Sequence, residues 1–154
     1  METSVISYLS ARRSRDVVIA AWQEVTLEFW ERHRGRYDVY VSELVVAEAS
    51  SGDSIAAERR VALLRGIPEL PVSQEAKILA KALMAEGGVT RKADIDALHI
   101  AVATVGRMDY ILTWNFRHLD NPILKPRIRE ICVNHGHRCP EICTPLEITE
   151  APCK

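Results

Sequence analysis

Four short runs of strand-forming residues, separated by longer stretches of helical periodicity, recur along this chain. That alternation constrains the fold more than any other feature. Strands that alternate with helices are joined by crossovers, which gives a mostly parallel sheet covered by helices on both faces. The strand runs are Tyr37-Asp38-Val39-Tyr40-Val41, residues 67–72, Tyr110-Ile111-Leu112-Thr113 and Ile142-Cys143-Thr144. Pro68 and Pro71 mark the second run as an edge, because proline cannot donate to a ladder. The helical stretches are about 14–34, 43–49, 53–64, 73–87, 94–105 and 122–133, with a further fragment after Pro145. Val18, Ala21, Trp22, Val25 and Phe29 form one apolar stripe on the first of them. Ser14, Ser42, Asp53 and Ser73 stand where N-caps belong, Pro122 or a neighbour opens the last helix, and Gly35, Gly52 and Gly87-Gly88 stand at helix ends. The 94–105 stretch carries few charges after its first turn, which predicts a helix buried on most sides.

A chain of 154 residues makes one domain and buries roughly 70% of its unfolded surface without disulfide or metal staples. Lys and Arg number 20 against 21 Asp and Glu, so a nucleic-acid partner has to be held by a local basic patch. No apolar run approaches the ~20 residues of a membrane span, and the N-terminus lacks the layout of a signal peptide. The expectation is a cytoplasmic protein with no membrane partner. All four cysteines, Cys132, Cys139, Cys143 and Cys153, fall near the C-terminus, with His135 and His137 among them. A zinc site is one reading, but the spacing lacks paired C-x2-C knuckles. Reduced thiols beside a buried strand are the expectation.

In a parallel α/β sheet, functional groups collect where strands end and helices begin. Those junctions carry Glu2-Thr3-Ser4, the segment from Ser42 to Glu48, Asp94-Ile95-Asp96, and Thr113-Trp114-Asn115. Glu48 and Asp96 sit inside runs that are otherwise apolar, Leu44-Val45-Val46-Ala47-Glu48-Ala49 and Asp96-Ala97-Leu98-His99-Ile100-Ala101. An ionised carboxylate there is costly unless it is paired, hydrogen-bonded or bound to a cation. Acids converging from different helices suit a hard divalent ion such as Mg2+ or Mn2+. Acids in a helix's first turn also favour its dipole, so a purely structural role stands beside the metal reading.

These same residues resemble the PIN-domain family, in particular the VapC-like toxin ribonucleases of bacterial and archaeal toxin–antitoxin pairs. The matching pieces are Glu2-Thr3-Ser4-Val5-Ile6-Ser7-Tyr8-Leu9, Val41-Ser42 through Ala47-Glu48, Asp96-Ala97-Leu98-His99-Ile100-Ala101 and Leu112-Thr113-Trp114-Asn115-Phe116. They lie in the family's order within residues 2–119. The resemblance implies a single three-layer α/β/α domain over residues 1–150 and a Mg2+-dependent endoribonuclease, with Mn2+ as a substitute ion. Glu2, Glu48 and Asp96 carry over as acidic metal ligands and catalytic residues, with Asn115 at the fourth acid position. Ser4 and Thr113 carry over as hydrogen-bonders that orient those groups. The implied partners are an RNA substrate, a small antitoxin protein and a second copy in a homodimer.

Two departures from the family pattern follow from the same comparison. Asn115 is neutral, which weakens a second metal position, and Glu2 is one methylene longer than the usual Asp. The alternative is therefore a catalytically weak or inactive PIN module that binds RNA or protein. The family also opens with a central strand before the first acid, whereas only Met1 precedes Glu2 here. The expectation is that this strand is cut short and that the natural product carries roughly five to eight more residues rich in Val, Ile or Tyr.

Other residues admit two readings each. Arg12, Arg13 and Arg15 suit either RNA phosphates or a solvated loop. His99 and His118 are expected as structural histidines bonded to backbone, in preference to proton transfer or substrate binding. Trp22, Phe29 and Trp30 are expected in the core or at a dimer contact, in preference to a base-stacking surface.

Overall fold

Polar side chains placed just ahead of five of the helices cap them and organise the chain. The computed structural model describes residues 1–90 and 93–149. The first element, α1 (Thr3–Ser10), starts directly at the Glu2-Thr3-Ser4 junction, with the Glu2 side chain as its cap. Next comes α2 (Val17–Glu28), capped by Asp16, whose carboxylate accepts from the Val18 and Ile19 amides. The sequence pointed to Ser14 as this cap. Its hydroxyl instead accepts from the Asp16 amide, which sets Asp16 in place. The helix runs on through a π-helical segment, Phe29–His33, and a 3-10 turn, Arg34–Arg36.

The strands are shorter than their sequence runs. β1 is only Val41–Ser42, where residues 37–41 were expected, and it pairs in parallel with β2 (Glu69–Leu70). Pro68 and Pro71 bracket β2 and have no N–H, so Glu69 and Leu70 alone can extend the ladder. The Pro68 carbonyl still accepts from the Val41 amide at 3.1 Å. Between β1 and β2 lie α3 (Glu43–Ala49) and α4 (Ser54–Leu64), capped by Ser42 and Asp53 as expected. After β2 come α5 (Gln74–Ala85), capped by Ser73, and α6 (Asp94–Val105). β3 (Tyr110–Leu112) pairs in parallel with β4 (Glu141–Cys143) across α7 (Lys125–Asn134), and α8 (Pro145–Thr149) ends the described chain. α7 starts later than Pro122, because Asn121 accepts the amides of Ile123, Leu124 and Lys125 and holds that stretch as a turn.

The period of two along the strands builds the layers. Ile111 and Ile142, partners in register, face a core made with Leu79, Leu83, Ile100, Ile128 and Ile131 of α5, α6 and α7. Leu112 and Cys143, the next pair, face a second core with Val5, Phe29, Trp114 and Ile148. A third cluster, Ile6, Val41, Val45, Ala49, Leu64 and Ile67, joins α1 to β1, α3 and α4. The architecture is a three-layer α/β/α fold. Each large side chain buried in it contributes about 1.5–3 kcal/mol. As expected, α6 is buried on most sides, at Ala97, His99, Ile100, Ala101, Val102 and Thr104.

Met1 and Glu2 lie between the two strand pairs. The Met1 amino group donates to the Tyr40 carbonyl at 2.7 Å, and the Glu2 amide donates to the Leu112 carbonyl at 3.0 Å. A cleft of about 440 Å3 continues from them, lined by Val41, Ile111, Val102 and Phe29 among others. Phe29 is fully buried, Trp22 is half-buried, and Trp30 lies under the Arg34 guanidinium, 4.3 Å from its ring centroid. Among the described residues no helix is long and apolar enough to cross a membrane.

Gly88, just after α5, packs tightly between Leu83 of α5 and Ile131 of α7. A methyl group there would meet Ile131 Cδ1 at 2.9 Å and the Leu83 carbonyl oxygen at 3.1 Å. Gly88→Ala is expected to cost about 1–3 kcal/mol through overpacking. Urea unfolding checks this: the midpoint should fall at constant m-value, and an unchanged midpoint would mean that α7 yields freely.

Candidate metal centre

Three carboxylates arrive from three junctions. Glu2 precedes α1 and is only 9% exposed. Its Oε2 accepts from the Ser4 amide at 3.1 Å, the Ser4 hydroxyl at 2.5 Å and the Thr113 hydroxyl at 2.8 Å. The Ser4 hydroxyl oxygen also accepts from the Trp114 amide at 2.9 Å, which ties α1 to the end of β3. Glu48 lies in the last turn of α3, and its Oε2 accepts from the Thr3 hydroxyl and meets His99 Nε2 at 3.1 Å. Asp96, in the first turn of α6, accepts at Oδ1 from the Asn115 amide nitrogen at 2.9 Å. Asn115 is itself held in place: its backbone amide donates to Thr113 Oγ1, and its Oδ1 accepts from the His118 amide.

Each of the three acids thus has one oxygen tied to the protein. Among the described residues the other oxygen, Glu2 Oε1, Glu48 Oε1 or Asp96 Oδ2, carries no hydrogen bond. Ligand atoms of Glu2, Glu48 and His99 all lie within 4.8 Å of one another. Asp96 and Asn115 stand outside that trio as a hydrogen-bonded pair, with Asp96 near enough to feel the charges of Glu2 and Glu48. The carboxylate oxygens of Glu2 and Glu48 are hard donors of the kind that suits Mg2+ or Mn2+, while His99 Nε2 is bonded to Glu48 Oε2.

Some members of this arrangement escape sequence reasoning. His99 was expected on a backbone group, yet its ring nitrogen bonds Glu48. The ring of His118, expected on backbone too, leaves Nδ1 buried without a partner. Thr3 was passed over; the signal for it is a hydroxyl beside an acid at a helix start.

The sequence pattern of a known family decides what kind of fold carries these groups: the PIN domain family matches residues 1–121. The chain belongs to the PIN-domain family. The match takes in Glu2, Glu48, Asp96 and Asn115 and ends before α7. No curated protein and no solved structure matches the chain. PIN domains are usually metal-dependent nucleases, and this PIN domain has carboxylates that could hold such a metal.

Charge within the PIN site is unevenly distributed. The hydrogen bond from His99 holds the Glu48 carboxyl below its usual range, against the opposing effect of burial, with Thr3 adding to the lowering. Burial pushes the Asp96 carboxyl up; His118 and His99 oppose the rise, and the charges of Glu2 and Glu48 add to it. Signs follow from linkage. The lowered Glu48 stabilises the fold above the unfolded carboxyl range, and this is lost as pH falls through its folded pKa. The raised Asp96 destabilises the charged fold at neutral pH, and protonation relieves that. A carboxyl NMR titration should find Asp96 above 3.8 and Glu48 below 4.5, with Glu48 moving upward in His99→Leu. The reverse order of shifts would contradict this account of the site.

Elsewhere in the PIN domain, Arg12, Arg13 and Arg15 are exposed on the loop between α1 and α2. Cys132 and Cys143 are buried and Cys139 half-buried, all as free thiols, while His135 bonds Glu86 at 2.8 Å. Among the described residues Cys132, His135, Cys139 and Cys143 do not converge into a metal-binding group. Cys153 lies outside the described residues.

Proposed function

We propose that this PIN domain is a Mg2+-dependent endoribonuclease of the VapC-like kind, the toxin of a toxin–antitoxin pair. One observation carries the reading: acids from three separate junctions each keep one oxygen anchored and one oxygen open. Glu2, Glu48 and Asp96 would hold a divalent ion, Mg2+ or Mn2+. When bound, that ion supplies charge stabilisation on the scissile phosphate and activation of a water. Ser4, Thr113 and Thr3 orient the carboxylates, and His99 keeps Glu48 ionised. Asn115, at the fourth acid position, braces Asp96 through its amide. Arg12, Arg13 and Arg15 supply positive charge for the RNA backbone.

Val17 and Val18 are exposed apolar residues in the first turn of α2, a spot that a small antitoxin or a second copy would cover. The neutral Asn115 favours the second reading, a weakly active or inactive module that binds RNA or protein. Purified protein incubated with structured RNA separates the two. Cleavage that EDTA abolishes and Mg2+ or Mn2+ restores supports the nuclease. RNA binding with no cleavage at any metal concentration supports the binding module.

A further inference from the structure

Four aromatic rings from three parts of the chain meet beside the acids. Tyr8 of α1, Trp22 of α2 and Trp114 after β3 lie with centroids 5.5–6.3 Å apart, and Phe116 lies 5.2 Å from Trp22 and 6.0 Å from Trp114. Trp114 is the floor of this group: it is buried, and its indole N–H donates to Thr26 Oγ1 at 2.8 Å. Phe116 is the outer ring and is 40% exposed. Trp114 closes the core beneath it, and Phe116 packs on Trp22 and Trp114 while part of its ring stays in water.

Two neighbours say what such a face suits. Phe116 directly follows Asn115, whose amide braces Asp96, so one residue separates the ring from the acids. On the other side lies the loop with Arg12, Arg13 and Arg15, exposed and, among the described residues, without an ion pair. That loop is pinned by Gln23, the residue after Trp22: Gln23 Oε1 accepts from the Ser14 amide at 2.8 Å and Nε2 donates to the Arg12 carbonyl at 3.0 Å. Rings flanked by guanidinium groups and by a cation-binding centre match a polyanion that carries flat bases, not an apolar peptide.

We propose that Phe116, backed by Trp22 and Tyr8, is a stacking subsite for an unpaired base of single-stranded RNA next to the cleaved phosphate. The proposal rests on the nuclease reading for the position of that phosphate. The base must be unstacked from its neighbours to reach the ring, so paired RNA is a poor ligand for this subsite. Phe116 is a positioning and specificity residue here, with no part in the bond-breaking step.

A short single-stranded 2′-O-methyl oligonucleotide with phosphorothioate linkages, which resist attack by a metal-activated water, tests this by tryptophan-fluorescence titration with Mg2+ present. Phe116→Ala should raise Kd about five- to a hundredfold, and Phe116→Trp should restore it. Phe116→Leu should behave like the alanine variant, because it keeps apolar area and loses the π face. An oligonucleotide with scanned single abasic positions should contain one that weakens wild-type binding and leaves Phe116→Ala unaffected. Arg12→Gln should instead flatten the salt dependence. Kd within twofold of wild type in Phe116→Ala, or equal binding by leucine and phenylalanine, overturns the subsite. If EDTA-sensitive cleavage persists in that case, the subsite alone fails. If Phe116→Ala weakens binding but no RNA is ever cleaved, the subsite stands and the nuclease reading fails.

Discussion

Asp96→Asn is expected to lower metal-dependent RNA cleavage by about a thousandfold while leaving the melting temperature equal or higher. A metal-held phosphate owes several kcal/mol of its transition-state stabilisation to the ion, and each 1.4 kcal/mol is about tenfold in rate. The carboxyl of Asp96 is raised by burial and by its acidic neighbours, so its charged form strains the fold. Asparagine removes that charge and keeps an oxygen to accept from the Asn115 amide, which now donates at 2.9 Å. Cleavage rate and thermal melting, measured on the same preparation, decide the matter. A melting point that falls sharply would make Asp96 structural, and unchanged cleavage would remove it from the site.

The second large effect is expected at Asn115. Aspartate there places a second negative charge beside Asp96, a repulsion of roughly 2 kcal/mol after solvent screening. Without metal the variant should melt lower. With Mg2+ the same repulsion becomes attraction for the ion, so the metal requirement for cleavage should fall by tenfold or more. A melting series against Mg2+ concentration reads the first half, and cleavage rate over the same Mg2+ series reads the second. If Asn115→Asp melts like the parent with and without Mg2+, Asn115 is remote from any cation.

Local signals made much of the fold legible. Ser42, Asp53 and Ser73 each cap the helix that follows, because a cap bonds an amide only two or three residues ahead. The Ser14 expectation failed because two polar side chains competed for one helix start and Asp16 took both amides. Strand lengths were less legible, since β1 is limited by prolines about 30 residues downstream that no local window sees. At the site, Glu48 and Asp96 stood out as charges in apolar runs. The bonds of Thr3 and His99 to Glu48 span 45 and 51 positions, so only the folded chain reveals them.

The anchoring of one oxygen in each carboxylate has a consequence for ion size. A carboxylate whose second oxygen is engaged by a hydroxyl, an amide or an imidazole offers a cation a monodentate contact and resists the bidentate grip. Ca2+ prefers six to eight oxygens and gains many of them from bidentate carboxylates. Mg2+ takes six at shorter distance and keeps several of them as water. If Glu2, Glu48 and Asp96 hold the proposed ion, such a centre would leave a large ion under-coordinated and a small one content with its hydration shell. Selectivity of the proposed site would then rest on the hydroxyls of Thr3, Ser4 and Thr113 as much as on the acids they hold.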